Sequence, residues 1–176
     1  MPIALEKTLL NNGLGNAERQ FTFLLTQVVS DTDHTAVGES LPFVLTVPPR
    51  TETVTEPEAF VLTFAQTDLA EETATYYYLL QEEEVLNDPA VQYDVRVYLI
   101  TVTVSRGADG ELSAAMTFTS GGTEYPGAAF RNVLDYYEMP ETGGRGTHLY
   151  TLAGLLLLCS AAYLLYKQRK GAREGA

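Results

Sequence analysis

In Ile3-Ala4-Leu5-Glu6-Lys7-Thr8-Leu9, residues 3, 5 and 9 are apolar and share one side of an extended strand, and Lys7 stands among them. An amine set among buried aliphatics must be paired, neutralised or chemically consumed. Lys7 is also the only lysine ahead of Met139. The first strand therefore carries an inward-facing amine, and reaction with another side chain explains the most about the rest of the chain.

Working outward from that strand, segments of strand length alternate or run apolar at roughly 2–10, 20–29, 42–47, 59–65, 75–83, 93–104, 112–119 and 125–134. Asn11-Asn12-Gly13, Val47-Pro48-Pro49, Arg106-Gly107-Ala108-Asp109-Gly110 and Ser120-Gly121-Gly122 punctuate them. Residues 48–58 and 105–110 are expected to be surface loops. Val95 to Val104 carries β-formers on both faces and is expected to be a central strand. No persuasive 3.6-residue period occurs in the body, and no internal repeat. The expected fold is all-β, an immunoglobulin-like β-sandwich over residues 1–138 followed by a C-terminal transmembrane helix.

The chain has 176 residues and a net charge of -12. Up to Thr142 there are 22 Asp/Glu against six Lys/Arg, a net of −16, so the basic residues gather in the tail. That split argues against nucleic-acid binding, which needs a basic footprint. The only cysteine, Cys159, lies in the C-terminal apolar run, so no disulfide can staple the body and no thiol metal site is available there. Met1-Pro2-Ile3 leads straight into a strand pattern without a signal-peptide pattern, and further sequence upstream is expected.

Two more polar residues fall on apolar faces. In Tyr76-Tyr77-Tyr78-Leu79-Leu80-Gln81-Glu82, Glu82 shares a side with Tyr76, Tyr78 and Leu80. In Ala128-Ala129-Phe130-Arg131-Asn132-Val133-Leu134, Asn132 shares a side with Ala128, Phe130 and Leu134. The plain alternatives are a solvated strand end for Glu82 and a turn former for Asn132. An amine, a carboxyl and a carboxamide in one apolar pocket make a self-formed amide bond chemically coherent. Desolvation favours neutral Lys7 and Glu82, the neutral amine attacks the Asn132 carboxamide carbon, and a protonated Glu82 donates to the carboxamide oxygen before shuttling protons as ammonia leaves. Holding the groups in contact supplies the effective concentration.

The body also resembles the pilin isopeptide-linkage domain of Gram-positive pili over essentially residues 3–138. The resemblance is carried by Lys7, Phe21-Thr22-Phe23-Leu24, Tyr76-x-Tyr78-x-Leu80-x-Glu82, Tyr93-Asp94, the Val95–Val104 strand and Phe130-x-Asn132. It implies that Lys7 and Asn132 form an intramolecular isopeptide bond and that Glu82 promotes it. Val133-Leu134-Asp135 departs from the small polar residue and Tyr more often found there.

Residues 149–166 form an 18-residue run without charge, LYTLAGLLLLCSAAYLLY, followed by Lys167, Arg169, Lys170 and Arg173. As a helix at about 1.5 Å per residue it reaches roughly 27 Å, enough to span a bilayer core, with the basic tail 167–176 cytoplasmic. Met139-Pro140-Glu141-Thr142-Gly143 precedes it, and the whole of 139–176 resembles the LPXTG cell-wall sorting signal, with Met139 in place of Leu. That resemblance implies cleavage by sortase between Thr142 and Gly143. The Thr142 carboxyl would then join an amine of peptidoglycan or of another pilin subunit, placing the body on the cell wall. The membrane is a partner through 149–166 before processing.

The expected function is thus a wall-anchored surface or pilus structural subunit. With Lys7 consumed, it is a stalk or terminal subunit rather than a repeating shaft subunit. A host-binding adhesin domain and a plain single-span membrane protein not cut by sortase are the alternatives. No carboxylate pair has the context of a glycosidase, so it is not expected to be an enzyme on external substrates, and no cofactor is expected. Asp31-x-Asp33-His34 lacks the remainder of a calcium loop and is expected to be a polar turn rather than a metal site. His148 adjoins the span and is expected to be interfacial.

Overall fold

The computed structural model describes residues 1–69, 71–84, 90–135, 152–161, 163 and 167. Ten strands follow one another: β1 (Pro2–Leu10), β2 (Arg19–Val28), β3 (Leu41–Val47), β4 (Thr53–Val61), β5 (Thr73–Glu82), β6 (Val91–Gln92), β7 (Val97–Arg106), β8 (Leu112–Ser120), β9 (Thr123–Tyr125) and β10 (Ala128–Leu134). Short 3-10 turns occupy Asn12–Leu14 and Gln66–Asp68. The strands form two sheets, ordered β4-β1-β10-β6 and β3-β2-β5-β7-β8-β9. Their facing sides make an immunoglobulin-like sandwich.

The inward residues of the smaller sheet are Ile3, Leu5 and Leu9 with Ala128, Phe130 and Leu134, and those of the larger sheet include Phe21, Phe23, Leu80, Tyr98 and Ile100. Each fully buried Leu or Phe contributes about 1.5–3 kcal/mol relative to exposure, and that burial offsets the cost of the polar groups enclosed with it. β1 and β10 are the two central strands of the smaller sheet, and they run parallel. Asn11, in the left-handed region at φ 66, donates from Nδ2 to the Leu134 carbonyl and ties the ends of these two strands together. β7 lies between β5 and β8, the central position expected of its apolar run.

Three segments differ from the sequence expectation. Residues 53–61, most of them expected to be loop, are β4, paired with β1, and the strand expected at 59–65 ends at Val61, leaving 62–65 outside any strand. Being an edge strand, β4 tolerates Pro57 and a polar alternation, because one row of its backbone groups faces away from the ladder. The register shifts opposite Ala4, between Ile3 and Leu5, which takes up the extra residues around Pro57. The expected 93–104 strand begins only at Val97: Val95 is 90% exposed, and the preceding segment turns around the Asp94 carboxylate. The expected 125–134 strand is broken into β9 and β10 by Pro126-Gly127. Ser120-Gly121-Gly122 turns the β8–β9 hairpin, with both glycines at positive φ as a two-residue primed turn requires.

The chain divides into a unit Met1–Tyr136 and a unit Tyr137–Ala176. In the second, residues 152–161 are helical and exposed. Among the described residues no helix is long and apolar enough to cross a membrane. Met139, Pro140, Glu141, Thr142, Gly143 and His148 lie outside the described residues, as does part of the expected span 149–166.

Candidate functional site

Lys7, Glu82 and Asn132 meet between the sheets. Strand parity turns Lys7 inward between Leu5 and Leu9, and turns Asn132 inward between Phe130 and Leu134. The parallel register sets Lys7 opposite Phe130 and Leu9 opposite Asn132, so the amine and the carboxamide are diagonal neighbours on one face. Glu82 comes from the other sheet, at the inward end of β5 opposite Phe23. Lys7 and Asn132 are fully buried, and the Glu82 side chain is as well, its residual exposure being backbone. The plain alternatives, a solvated strand end for Glu82 and a turn former for Asn132, are not what the structure holds: both side chains are buried and partnered.

Lys7 Nζ donates to Glu82 Oε1 at 2.7 Å and to Oε2 at 2.6 Å. Asn132 Nδ2 donates to the same Oε1 at 2.7 Å. Asn132 Oδ1 accepts the backbone N–H of Asp94 at 2.8 Å. That contact fixes which end of the carboxamide is oxygen, since a backbone N–H needs an acceptor. The expected hydrogen bond from Glu82 to the carboxamide oxygen is thus not the one formed. The carboxylate faces the nitrogen, and a main-chain donor takes the oxygen.

Burial dominates the acid–base balance. Desolvation lowers the Lys7 pKa from 10.5 to about 8 against the opposing attraction of Glu82. Desolvation likewise raises Glu82 above the ordinary carboxylate range, against the charge of Lys7 and the hydrogen bonds from Lys7 and Asn132. Both shifts bring the neutral amine and neutral acid closer in energy to the ion pair. Lys7 Nζ sits 4.5 Å from the Phe21 ring centroid and 5.6 Å from that of Phe23, and Phe23 packs on Phe130 at 5.1 Å. These rings wall the pocket from water and face the cation with their negative π surfaces.

The profile of the FctA family, a Spy0128-like isopeptide containing domain, matches residues 3–135. The chain belongs to that family. Solved structures of similar fold include the major pilin of Streptococcus pyogenes, with TM-score 0.53, 23% identity and coverage of 76% of this chain and 50% of that one. Two variants of that pilin, one with a glutamate and one with an asparagine replaced by alanine, give TM-scores of 0.54 and 0.53 at 22% identity, with the same 76% and 50% coverage. This isopeptide-domain chain spans about half the length of those pilin chains. No curated protein matches it in sequence.

Asp94 is the residue that strand-face reasoning does not single out as part of the site. It lies between β6 and β7 and reaches the site through its main chain, which no periodicity reports. The adjacent Arg96 and Tyr98 hold the peptide before Phe130. Arg96 Nη1 donates to the Ala129 carbonyl at 3.0 Å and the Tyr98 hydroxyl donates to it at 2.8 Å. Elsewhere, Asp31-Thr32-Asp33-His34 is a turn in which Asp33 Oδ1 accepts from the Thr35 N–H and hydroxyl. Those two bonds hold the Asp33 carboxyl below its ordinary pKa. Among the described residues no cluster of His, Cys, Asp and Glu is arranged to hold a metal ion.

Proposed function

We propose that this chain is a structural pilin or wall-anchored surface subunit whose sandwich cross-links itself through an amide between Lys7 Nζ and Asn132 Cγ, with Glu82 moving the protons. One observation carries the reading: a single carboxylate oxygen, Glu82 Oε1, lies 2.7 Å from both the Lys7 and the Asn132 nitrogens inside a buried pocket.

The steps balance without an outside reagent. Glu82 takes one proton from the Lys7 ammonium, leaving a neutral amine and a neutral acid. The Nζ lone pair attacks Asn132 Cγ, and the carbonyl π pair moves onto Oδ1. Glu82 delivers its proton to Nδ2 and accepts a second from Nζ. The Cγ–Nδ2 bond breaks, ammonia leaves and the carbonyl re-forms. Each molecule reacts once, so this is maturation rather than turnover.

The bond closes a loop of about 126 residues, which by analogy with disulfide loop entropy contributes on the order of 4–5 kcal/mol. We assign residues 1–138 to the cross-linked sandwich and 139–176 to a sorting signal with its membrane span at 149–166 and basic tail at 167–176. Sortase cuts between Thr142 and Gly143 and joins Thr142 to peptidoglycan or to another subunit at the cell wall. Lys7 is the only lysine from Met1 to Thr142, so once it is consumed this segment donates a carboxyl but offers no lysine side chain as acceptor.

Intact mass of the folded chain tests the core of this reading. The expected mass is one ammonia below that of the sequence, restored in full by Glu82→Ala and by Asn132→Ala. A folded, unsubstituted chain at full mass overturns it.

A further inference from the structure

We infer that the backbone N–H of Asp94 is the donor that polarises the Asn132 carbonyl for attack, and that the Asp94 carboxylate is a positioning residue that holds this donor in place. The inference deepens the proposed cross-linking and rests on it. Glu82 cannot serve the carboxamide oxygen as arranged, because both its oxygens face nitrogens. When the Nζ–Cγ bond forms and the π pair moves onto Oδ1, the negative charge develops 2.8 Å from the Asp94 nitrogen. A pre-aimed main-chain donor in a water-poor site is the arrangement that stabilises such an oxyanion, and it needs no rearrangement as the reaction proceeds. The pair returns to the carbonyl as the Cγ–Nδ2 bond breaks and ammonia departs.

The carboxylate of the same residue sets the distance. Asp94 Oδ1 accepts the Arg96 N–H at 3.0 Å, curling its own segment, and Oδ2 accepts the Arg131 N–H at 2.8 Å. Arg131 directly precedes Asn132. One side chain, only 10% exposed, therefore clamps the donor's segment to the strand that carries the electrophile. The ion pair to the Arg96 guanidinium is longer, at 3.8 Å, and is secondary to the two main-chain bonds.

The test follows ammonia loss by intact mass after a pulse of cell-free synthesis of the full chain, with protease resistance reporting folding separately. One variant carries the α-hydroxy analogue of aspartate at position 94, which replaces the N–H by an ester oxygen and keeps the carboxylate. The other, Asp94→Asn, keeps the N–H and removes one of the two acceptors. Among protease-resistant molecules the ester is expected to slow ammonia loss about 100-fold, the cost of one oxyanion donor, and Asp94→Asn about 10-fold. Both rates within two-fold of the unsubstituted chain overturn the inference while leaving the cross-link intact. A slow ester beside a normal Asn variant overturns the positioning role alone. An unsubstituted chain that never loses ammonia overturns the proposed function, and this inference with it.

Discussion

Among the described residues two asparagines are fully buried, and they have opposite surroundings. Asn12, in the turn after β1, donates from Nδ2 to the carbonyls of Pro48 at 3.1 Å and Thr51 at 2.7 Å, and its Oδ1 has no hydrogen-bond partner among the described residues. Asn132 has its oxygen held by a main-chain N–H and its nitrogen held by a carboxylate that also holds an amine. The first carboxamide is a brace across a turn. In the proposed cross-linking the second has its carbonyl polarised, its leaving nitrogen beside a proton carrier and a nucleophile on the neighbouring strand. Burial is common to both asparagines; the groups held at the two ends of the carboxamide are what differ.

The strongest way to break the contrast is to remove each carboxamide in turn. Asn132→Ala is expected to leave the chain at full mass and to lower unfolding stability by about 4–5 kcal/mol, the entropy of the lost closure. Asn12→Ala is expected to leave the ammonia loss complete. Denaturant unfolding and intact mass on the same samples read both. Equal effects of the two substitutions on mass would erase the distinction.

Next in size is Glu82→Ala combined with Asn132→Ala, compared with Asn132→Ala alone. In the single variant Lys7 keeps its carboxylate, and in the double it is left in the pocket without one. A further loss of about 3–5 kcal/mol is expected from denaturant unfolding. A double variant as stable as the single would mean that Glu82 does not compensate the buried amine.

A pH series sharpens the same point. In Asn132→Ala, Lys7 is expected to keep its lowered pKa of about 8 in the fold against 10.5 unfolded, so the unfolded chain binds more protons between those values and stability is expected to rise with pH across that window. Glu82 has the opposite sign: its raised pKa makes the folded chain bind more protons above 4.5, so its contribution falls as pH rises through that region. The alkaline rise is expected to be on the order of 1–3 kcal/mol. It is expected to be absent from the unsubstituted chain, where the proposed cross-link makes the Lys7 nitrogen an amide. The difference in unfolding free energy between the two proteins from pH 7 to 10.5 measures it.

The smallest effect is that of Asn12→Ala on stability, about 1–2 kcal/mol. Two hydrogen bonds to carbonyls are lost, partly offset by removing the orphaned oxygen. Thermal unfolding of the otherwise unsubstituted chain reads it.

The site was legible in the sequence where strand parity carried it. Lys7, Glu82 and Asn132 each interrupt an apolar face, and alternation in β1, β5 and β10 is regular enough to assign that face. The first six residues of β4 were not legible, because Thr53-Val54-Thr55-Glu56-Pro57-Glu58 buries little on its own and is a strand only through its pairing with β1. Which atom of Asn132 meets Glu82 was also out of reach. That orientation is decided by the Asp94 main chain, thirty-eight positions earlier, and side-chain patterns do not report main-chain donors.

The side-by-side, same-direction placement of β1 and β10 has a topological consequence. With residues 7 and 132 bonded as proposed, the covalent route from Met1 to Asp135 runs through Met1 and six residues of β1, crosses one amide and leaves through the last few residues of β10. Everything from Thr8 to Arg131 becomes a closed side branch. A protease that nicks any loop of the sandwich then opens a ring rather than severing the molecule, and whatever is attached at one end stays joined to the other.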